Sequence, residues 1–202
     1  MGKVVVTEFI SLDGVVEDPG GAEDYRHGGW TFEFERGADG DKFKLEELME
    51  AEAQLLGRVT YEGFAAAWPK MDDEAGFAKK MNEMPKYVVS STLEQADWQN
   101  TTILSGDPAD SVATLKEEVD GVILIAGSAT LVKALIEADL VDELRLMVFP
   151  VLLGEGKRLF PEGETKHRLQ LAEAKTVGEG ISLVRYTALP ADRQVRSDHD
   201  QG

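Results

Sequence analysis

The sequence predicts one α/β domain built on a mostly parallel central sheet of about eight strands. Three observations predict it. Strand-length apolar runs alternate with helical patterns as far as residue 138, and three of those strands end in turns bearing glycine or serine. The chain then closes with consecutive apolar strands, the last two joined by Gly178-Glu179-Gly180. Strand–helix alternation produces parallel pairing through crossover connections, whereas a short glycine turn gives an antiparallel hairpin, expected here at 168–188.

Taken in order, residues 3–12 form a first strand that ends at the Asp13-Gly14 turn. Residues 17–40 are rich in glycine and charge and carry Tyr25, Trp30, Phe32 and Phe34, which marks a long loop of the kind that is usually functional or mobile. A helix is expected over about 41–53, a strand at 54–57, and a short helix to about 67. Another helix covers roughly 74–83, with strands at 86–91 and 101–105. Asp107 as N-cap and Pro108 at the first position open a helix over 107–119. Val122 to Ile125 is a continuous apolar run, as in a strand covered on both faces, and a helix over 128–138 follows it. The strands ELRLMVFPVLLG, RLQLAEAKTV and ISLVRYTAL complete the sheet, and the polar residues 191–202 read as a disordered tail beyond a single domain at 1–190.

The turns carry the chemistry. Gly127 permits a tight turn after the 122–125 strand, with Ser128 and Thr130 at the helix start. Unpaired N–H groups at a helix N-terminus attract phosphate, helped by the helix dipole. At Gly57, Arg58 and Thr60 the same arrangement recurs with a cation, whose planar fork suits phosphate. Ser90 and Ser91 place two hydroxyls at a third strand exit. All three lie where ligands bind in α/β sheets, beyond the carboxyl ends of strands. Plain capped turns account for each of them equally well.

Composition narrows the function classes. The chain has 202 residues and a formal net charge of −17, which disfavours nucleic acid and anionic membranes as partners. Cysteine is absent, which removes disulfides, thiol nucleophiles and cysteine-ligated zinc. His27, His167 and His199 lack metal-ligand spacing, so no metal is expected. With no membrane-length apolar run and no signal-peptide pattern, a cytoplasmic protein is expected. The GxGxxG, Walker A, HExxH and GxSxG fingerprints are all missing.

SLDG at 11–14, LLGRVTYEGF at 55–64, YVVSS at 87–91, IAGSATLVKALIEADLVDEL at 125–144 and PVLLGEGKRLF at 150–160 occur in one order. Together, over roughly residues 3–188, they resemble the dihydrofolate reductase-like superfamily, in the branch related to the reductase domain of bacterial riboflavin biosynthesis. The resemblance implies a dihydrofolate reductase-like three-layer fold, NADPH as cofactor, and hydride transfer to a small heterocyclic or ribosylated substrate. Carried over residue by residue, it assigns Gly57, Arg58, Val59 and Thr60 to the pyrophosphate and adenosine phosphate. Ser90 and Ser91 go to the adenosine ribose and 2′-phosphate, and Gly127, Ser128, Ala129 and Thr130 to the pyrophosphate cradle. Ile10, Ser11 and Val16, with Phe9 and Val15, are candidates to flank the nicotinamide, although a core strand explains Phe9 and Ile10 better.

For the reacting end the resemblance implies Asp41 as the carboxylate that aids protonation, although an ordinary N-cap explains it too. The segment before that helix departs from the dihydrofolate pattern, which puts dihydrofolate itself in doubt. Trp30 and Phe34, with Phe32, are candidates for a lid stacking on a planar substrate, and Glu155 is a candidate substrate contact in a glycine-rich loop. A homodimer is expected from the resemblance and from the apolar run LRLMVFPVLLG. Two other functions stay open: a nucleotide-binding protein without turnover, and a flavin- or deazaflavin-dependent oxidoreductase.

Overall fold

In the computed structural model, which describes residues 1–160 and 166–189, eight strands form one sheet in the order β4-β3-β2-β5-β1-β6-β8-β7. The strands are β1 (Lys3–Ser11), β2 (Ala51–Gly57), β3 (Lys86–Val89), β4 (Thr101–Leu104), β5 (Val122–Ile125), β6 (Glu143–Phe149), β7 (Leu169–Val177) and β8 (Ile181–Ala188). Strands β1 to β6 pair in parallel, and β8 pairs antiparallel with both β6 and β7. The expected architecture, including the hairpin, is present.

The helices are α1 (Gly37–Glu50), α2 (Arg58–Ala67), α3 (Phe77–Glu83), α4 (Pro108–Glu118) and α5 (Ala129–Glu137). One face of the sheet packs Val4, Val6, Ile123 and Ile125 against Val112 and Leu115 of α4 and Leu131, Val132 and Leu135 of α5. The other packs Val5, Leu56 and Leu124 against Leu48 of α1, Tyr61 of α2 and Met81 of α3. Three layers result, with β1 and β5 at the centre and the runs Val4–Val6 and Val122–Ile125 apolar where both faces are covered. No helix among the described residues is long and apolar enough to cross a membrane.

The structure shifts several expected boundaries, and each shift has a local cause. Helix α1 starts four residues earlier than the expected 41 and stops at Glu50, because Ala51 and Ala53 are claimed by pairing with Val122 and Ile123 of β5. Sheet pairing overrides the helix propensity of Ala51-Glu52-Ala53. Helix α3 starts at Phe77, where the carboxylate of Asp73 accepts from the Phe77 and Ala78 amides. Strand β6 ends at Phe149, since Pro150 has no N–H to continue the ladder. Its residues Glu143–Met147 and Phe149 are buried by β1 and β8, so this part of the apolar run offers no surplus surface to a second subunit. The expected tail at 191–202 lies outside the described residues.

Two buried charges stand at the first residues of β6 and β3. Glu143 receives Arg145 Nε at 2.7 Å and Arg185 Nε at 3.0 Å, and also pairs with Lys3. Burial alone would raise its pKa, but these hydrogen bonds outweigh burial and hold the carboxyl at about 2. Lys86, fully buried, donates to the carbonyls of Met81 (3.0 Å), Asn82 (2.8 Å) and Met84 (2.8 Å) and lies 4.4 Å above the Trp98 ring. It thereby closes the C-terminal end of α3, and burial pushes its pKa down to about 8.

Lys86→Met keeps the apolar stem but leaves those carbonyls without their donor. Urea denaturation is expected to show a loss of about 2–4 kcal/mol, as for removal of a buried charged hydrogen-bond partner. An unchanged midpoint would mean that water satisfies the same carbonyls.

Candidate functional site at the carboxyl edge of the parallel strands

Strands β1, β5, β2 and β3 are adjacent and parallel, so Ser11, Ile125, Gly57 and Val89 all end on one edge of the sheet. Two of the turns that leave this edge interlock. A Cβ on Gly57 would lie 2.6 Å from Ser128 Oγ and 3.0 Å from Ser128 Cβ. A Cβ on Gly127, whose φ is +77°, would lie 3.0 Å from Thr60 Oγ1. Each glycine therefore faces a hydroxyl residue of the opposite turn, at a distance that only glycine allows. The Gly127–Ser128 peptide is cis.

This contact brings the N-termini of α2 and α5 together. Ser128 caps α5, accepting from the Leu131 amide at 3.5 Å, whereas Gly57 gives α2 no side-chain cap. The first-turn amides of α2 are thus left for solvent or an anion. Arg58 and Val59 are exposed at the junction, Thr60 is half-buried, Ala129 is buried and Thr130 is exposed. Arg58 Nη1 pairs with both carboxylate oxygens of Glu62, at 2.9 and 2.8 Å, one helical turn ahead. Ser91 is exposed beyond β3, but Ser90 is buried and its Oγ accepts from the Thr92 and Leu93 amides at 3.1 and 2.9 Å. Ser90 therefore shapes its own turn.

At the exit of β1, Ile10 and Val16 are buried in the core beneath α4 and α5. Ser11 Oγ donates to Asp13 Oδ1 at 2.7 Å and accepts the Val15 amide at 2.8 Å. Asp13 also accepts from the Leu153 and Gly154 amides at 3.1 and 2.8 Å. Burial opposes its ionisation, yet these hydrogen bonds win and hold it at about 2. Glu17 and Lys157 form a further ion pair at 2.9 Å, and Tyr25 donates to the Glu155 carbonyl at 2.8 Å. The loop after β1 and the loop after β6 are stapled together along one side of the edge.

The four residues expected at the reacting end, Trp30, Phe34, Asp41 and Glu155, are placed as follows. Trp30 is a core residue, 1% exposed, packed edge-on against Phe149 at 5.3 Å with its Nε1 donating to the Glu17 carbonyl. A free lid is not available to it. Phe34 is half-buried against the same Phe149, and only Phe32, 79% exposed, projects freely. Asp41 is exposed on α1 and pairs with Arg36 Nη2 at 2.9 Å. Glu155 is exposed and pairs with Arg26 at 3.1 Å.

Two groups that the sequence reading passed over stand at this edge. On the α1 face of β1, Lys44 Nζ donates to Thr7 Oγ1 at 2.9 Å, pairs with buried Glu47, and lies 4.9 Å from the centre of the half-buried Phe9 ring. Arg36 covers the same ring at 5.4 Å. Thr7 also donates to Glu47 Oε1 at 2.8 Å, while Glu47 Oε2 is buried without a hydrogen-bond partner. On the opposite face, Glu8 is buried with Oε1 accepting the Gly127 amide at 2.8 Å. The sequence signal for Glu8 was available: an acid at the inward position between Val6 and Ile10 of a core strand.

The family model for the RibD C-terminal domain matches residues 2–183. The chain belongs to the RibD C-terminal domain family. Relatives of this domain include the uncharacterized protein YyaP of Bacillus subtilis, 28% identical over 187 residues, covering 91% of this chain and 94% of the relative. The uncharacterized protein YwjB of the same organism is 29% identical over 181 residues, covering 90% and 95%. Among solved structures, a protein of Shewanella sp. PV-4 assigned by name to riboflavin biosynthesis superposes with TM-score 0.74 at 20% identity, covering 93% and 99% of the two chains. The dihydrofolate reductase of Enterococcus faecalis, complexed with NADP(H), superposes with TM-score 0.59 at 17% identity, covering 93% and 97%. The RibD-type domain described here thus has the dihydrofolate reductase-like fold, and its family supports a reductase-type function.

Gly57→Ala tests the interlock. The added methyl meets the Cβ of Ser128 as well as its movable hydroxyl, so the two turns must separate. A loss of about 1–3 kcal/mol is expected by thermal or urea unfolding, in line with overpacking elsewhere. A variant as stable as the parent would show that the turns are not held in contact.

Proposed function

We propose that this RibD-type domain is an NADPH-dependent reductase that transfers a hydride to a small heterocyclic or ribosylated substrate, pterin- or pyrimidine-like. The observation that carries the reading is the interlock of Gly57 with Ser128 and of Gly127 with Thr60, which sets two helix N-termini side by side at one strand edge. A polyanionic dinucleotide fits that arrangement, because oriented amides offset the repulsion expected from a chain of net charge −17. The likeness to a reductase complexed with NADP(H) supports the same choice.

In this reading the α2 and α5 amides, with Thr60, Ser128 and Thr130, hold the pyrophosphate, and Val59 and Ala129 line the same turns. Arg58 and Ser91 face the adenosine 2′-phosphate. The exposed Arg58–Glu62 pair is worth only about 0.3–0.5 kcal/mol, so Arg58 exchanges Glu62 for a phosphate readily. When bound, NADPH supplies the hydride. The chain supplies the rest: Phe9 forms an apolar floor at the reacting end, with Arg36 and Lys44 at its rim. Lys44, steadied by Thr7 and Glu47, is placed to deliver the balancing proton, a role that exposed Asp41 fills less well. The homodimer is proposed through the edge strand β7, whose Leu169 and Leu171 are 40% and 53% exposed.

Calorimetric titration at fixed salt tests the cofactor. Arg58→Ala is expected to weaken NADPH by about ten- to a hundredfold, as for one lost charge-assisted contact, while NADH changes little. Equal losses would move Arg58 to the pyrophosphate, and the absence of NADPH binding in the parent protein would reject the reading. Light scattering at micromolar concentration should give twice the chain mass, and a monomer would reject the β7 contact.

A further inference from the structure

Strand β1 carries an acid where its pattern calls for an apolar side chain. Val4, Val6 and Ile10 point into the layer beneath α4 and α5, and Glu8 lies between them on the same face, 8% exposed. Its neighbours across the sheet are apolar: Leu146 stands opposite it on β6, and β5 presents only Val122-Ile123-Leu124-Ile125. The charged groups acting on it are Lys44 and Glu47 of α1, from the far side of the strand. An ionised carboxylate is costly to bury unless it is paired and hydrogen-bonded, and it otherwise takes up a proton.

Among the described residues its one hydrogen bond runs to the turn between β5 and α5, where Oε1 accepts the Gly127 amide at 2.8 Å. The Gly127 residue is therefore held from two sides, by Glu8 and by the close approach of Thr60. Burial pushes the Glu8 carboxyl up to about 8, although the Gly127 amide and Lys44 pull it down. The neutral acid still offers a carbonyl oxygen to the amide. Once ionised, it sets a full negative charge directly behind the turn proposed above to hold the cofactor's pyrophosphate, in a medium that screens it poorly.

We infer that Glu8 is a positioning residue that orients the Gly127 turn in its protonated state and weakens anion binding at that turn when it loses the proton. That an anion binds this turn, and which anion, rests on the cofactor reading above; the orientation of Gly127 by Glu8 does not. By linkage, a bound anion favours the protonated acid as much as the protonated acid favours the anion.

The experiment compares the parent protein with Glu8→Gln, which keeps an acceptor without a charge, and Glu8→Leu, which keeps neither. NADPH affinity of the parent is expected to fall about tenfold between about pH 6.5 and 9.5, as expected for one ionisation coupled to anion binding. Glu8→Gln should change less than about twofold over that range, and Glu8→Leu should bind about tenfold more weakly than Glu8→Gln throughout. In parallel, the Gly127 amide resonance of the cofactor-free protein is followed with pH. A step present in the parent and absent in Glu8→Gln supports the assignment. A flat Gly127 resonance, or a Glu8→Gln variant with the parent's pH profile, overturns it. If the parent binds no NADPH, the cofactor reading fails and the Gly127 titration alone decides the role of Glu8.

Discussion

The contact between the β2–α2 turn and the β5–α5 turn is the constraint on which the working edge of this molecule depends. Two neighbouring parallel strands deliver two helices to the same edge, but ordinary side chains would hold the helix starts a methyl group or more apart. Gly57 and Gly127 remove that spacing, so Ser128 and Thr60 each fill the room left by a missing Cβ. The dipoles of α2 and α5 then act on one volume of space rather than two. A positive region is created in a strongly acidic chain without spending many cations on it.

Charge is distributed unevenly along the central strand. At its amino end Lys3 pairs with Glu143, which Arg145 and Arg185 also reach, so opposite charges are matched in the interior. Toward its carboxyl end Thr7 meets Lys44 and Glu47 on one face, while Glu8 meets only a backbone amide on the other. The first end is saturated, as a structural ion network should be. The second leaves Glu47 Oε2 unpartnered and Glu8 without a cation in hydrogen-bonding contact, which is how polar groups near a site differ from those that merely hold a fold.

Much of this was legible in the residues. The runs 3–12, 86–91 and 122–125 are apolar enough to declare strands, and the glycines of the two interlocked turns marked the edge. Their mutual contact was not legible, because Gly57 and Ser128 are brought together only by the pairing of β2 with β5. The start of β2 was hidden by Ala51-Glu52-Ala53, whose local preference is helical. Trp30 read as loop because its burial depends on Phe149, more than a hundred residues away. Asp41 was assigned through the resemblance alone, which says nothing of the rotation of α1; the helix turns Lys44 and Glu47 toward β1. Ser90 and Ser91 looked alike in sequence, and only the turn geometry separates them.

The Asp13 carboxylate binds the amides of Leu153 and Gly154, and Arg158 reaches back to the Asp13 carbonyl. Val15 and Arg158 form a bridge, and Lys157 returns to Glu17. These two loops are separated by most of the chain, yet each is held by the other. For anyone reshaping this rim, they constitute a single graft: a change of length in one alters the register of the other, so both must be exchanged together.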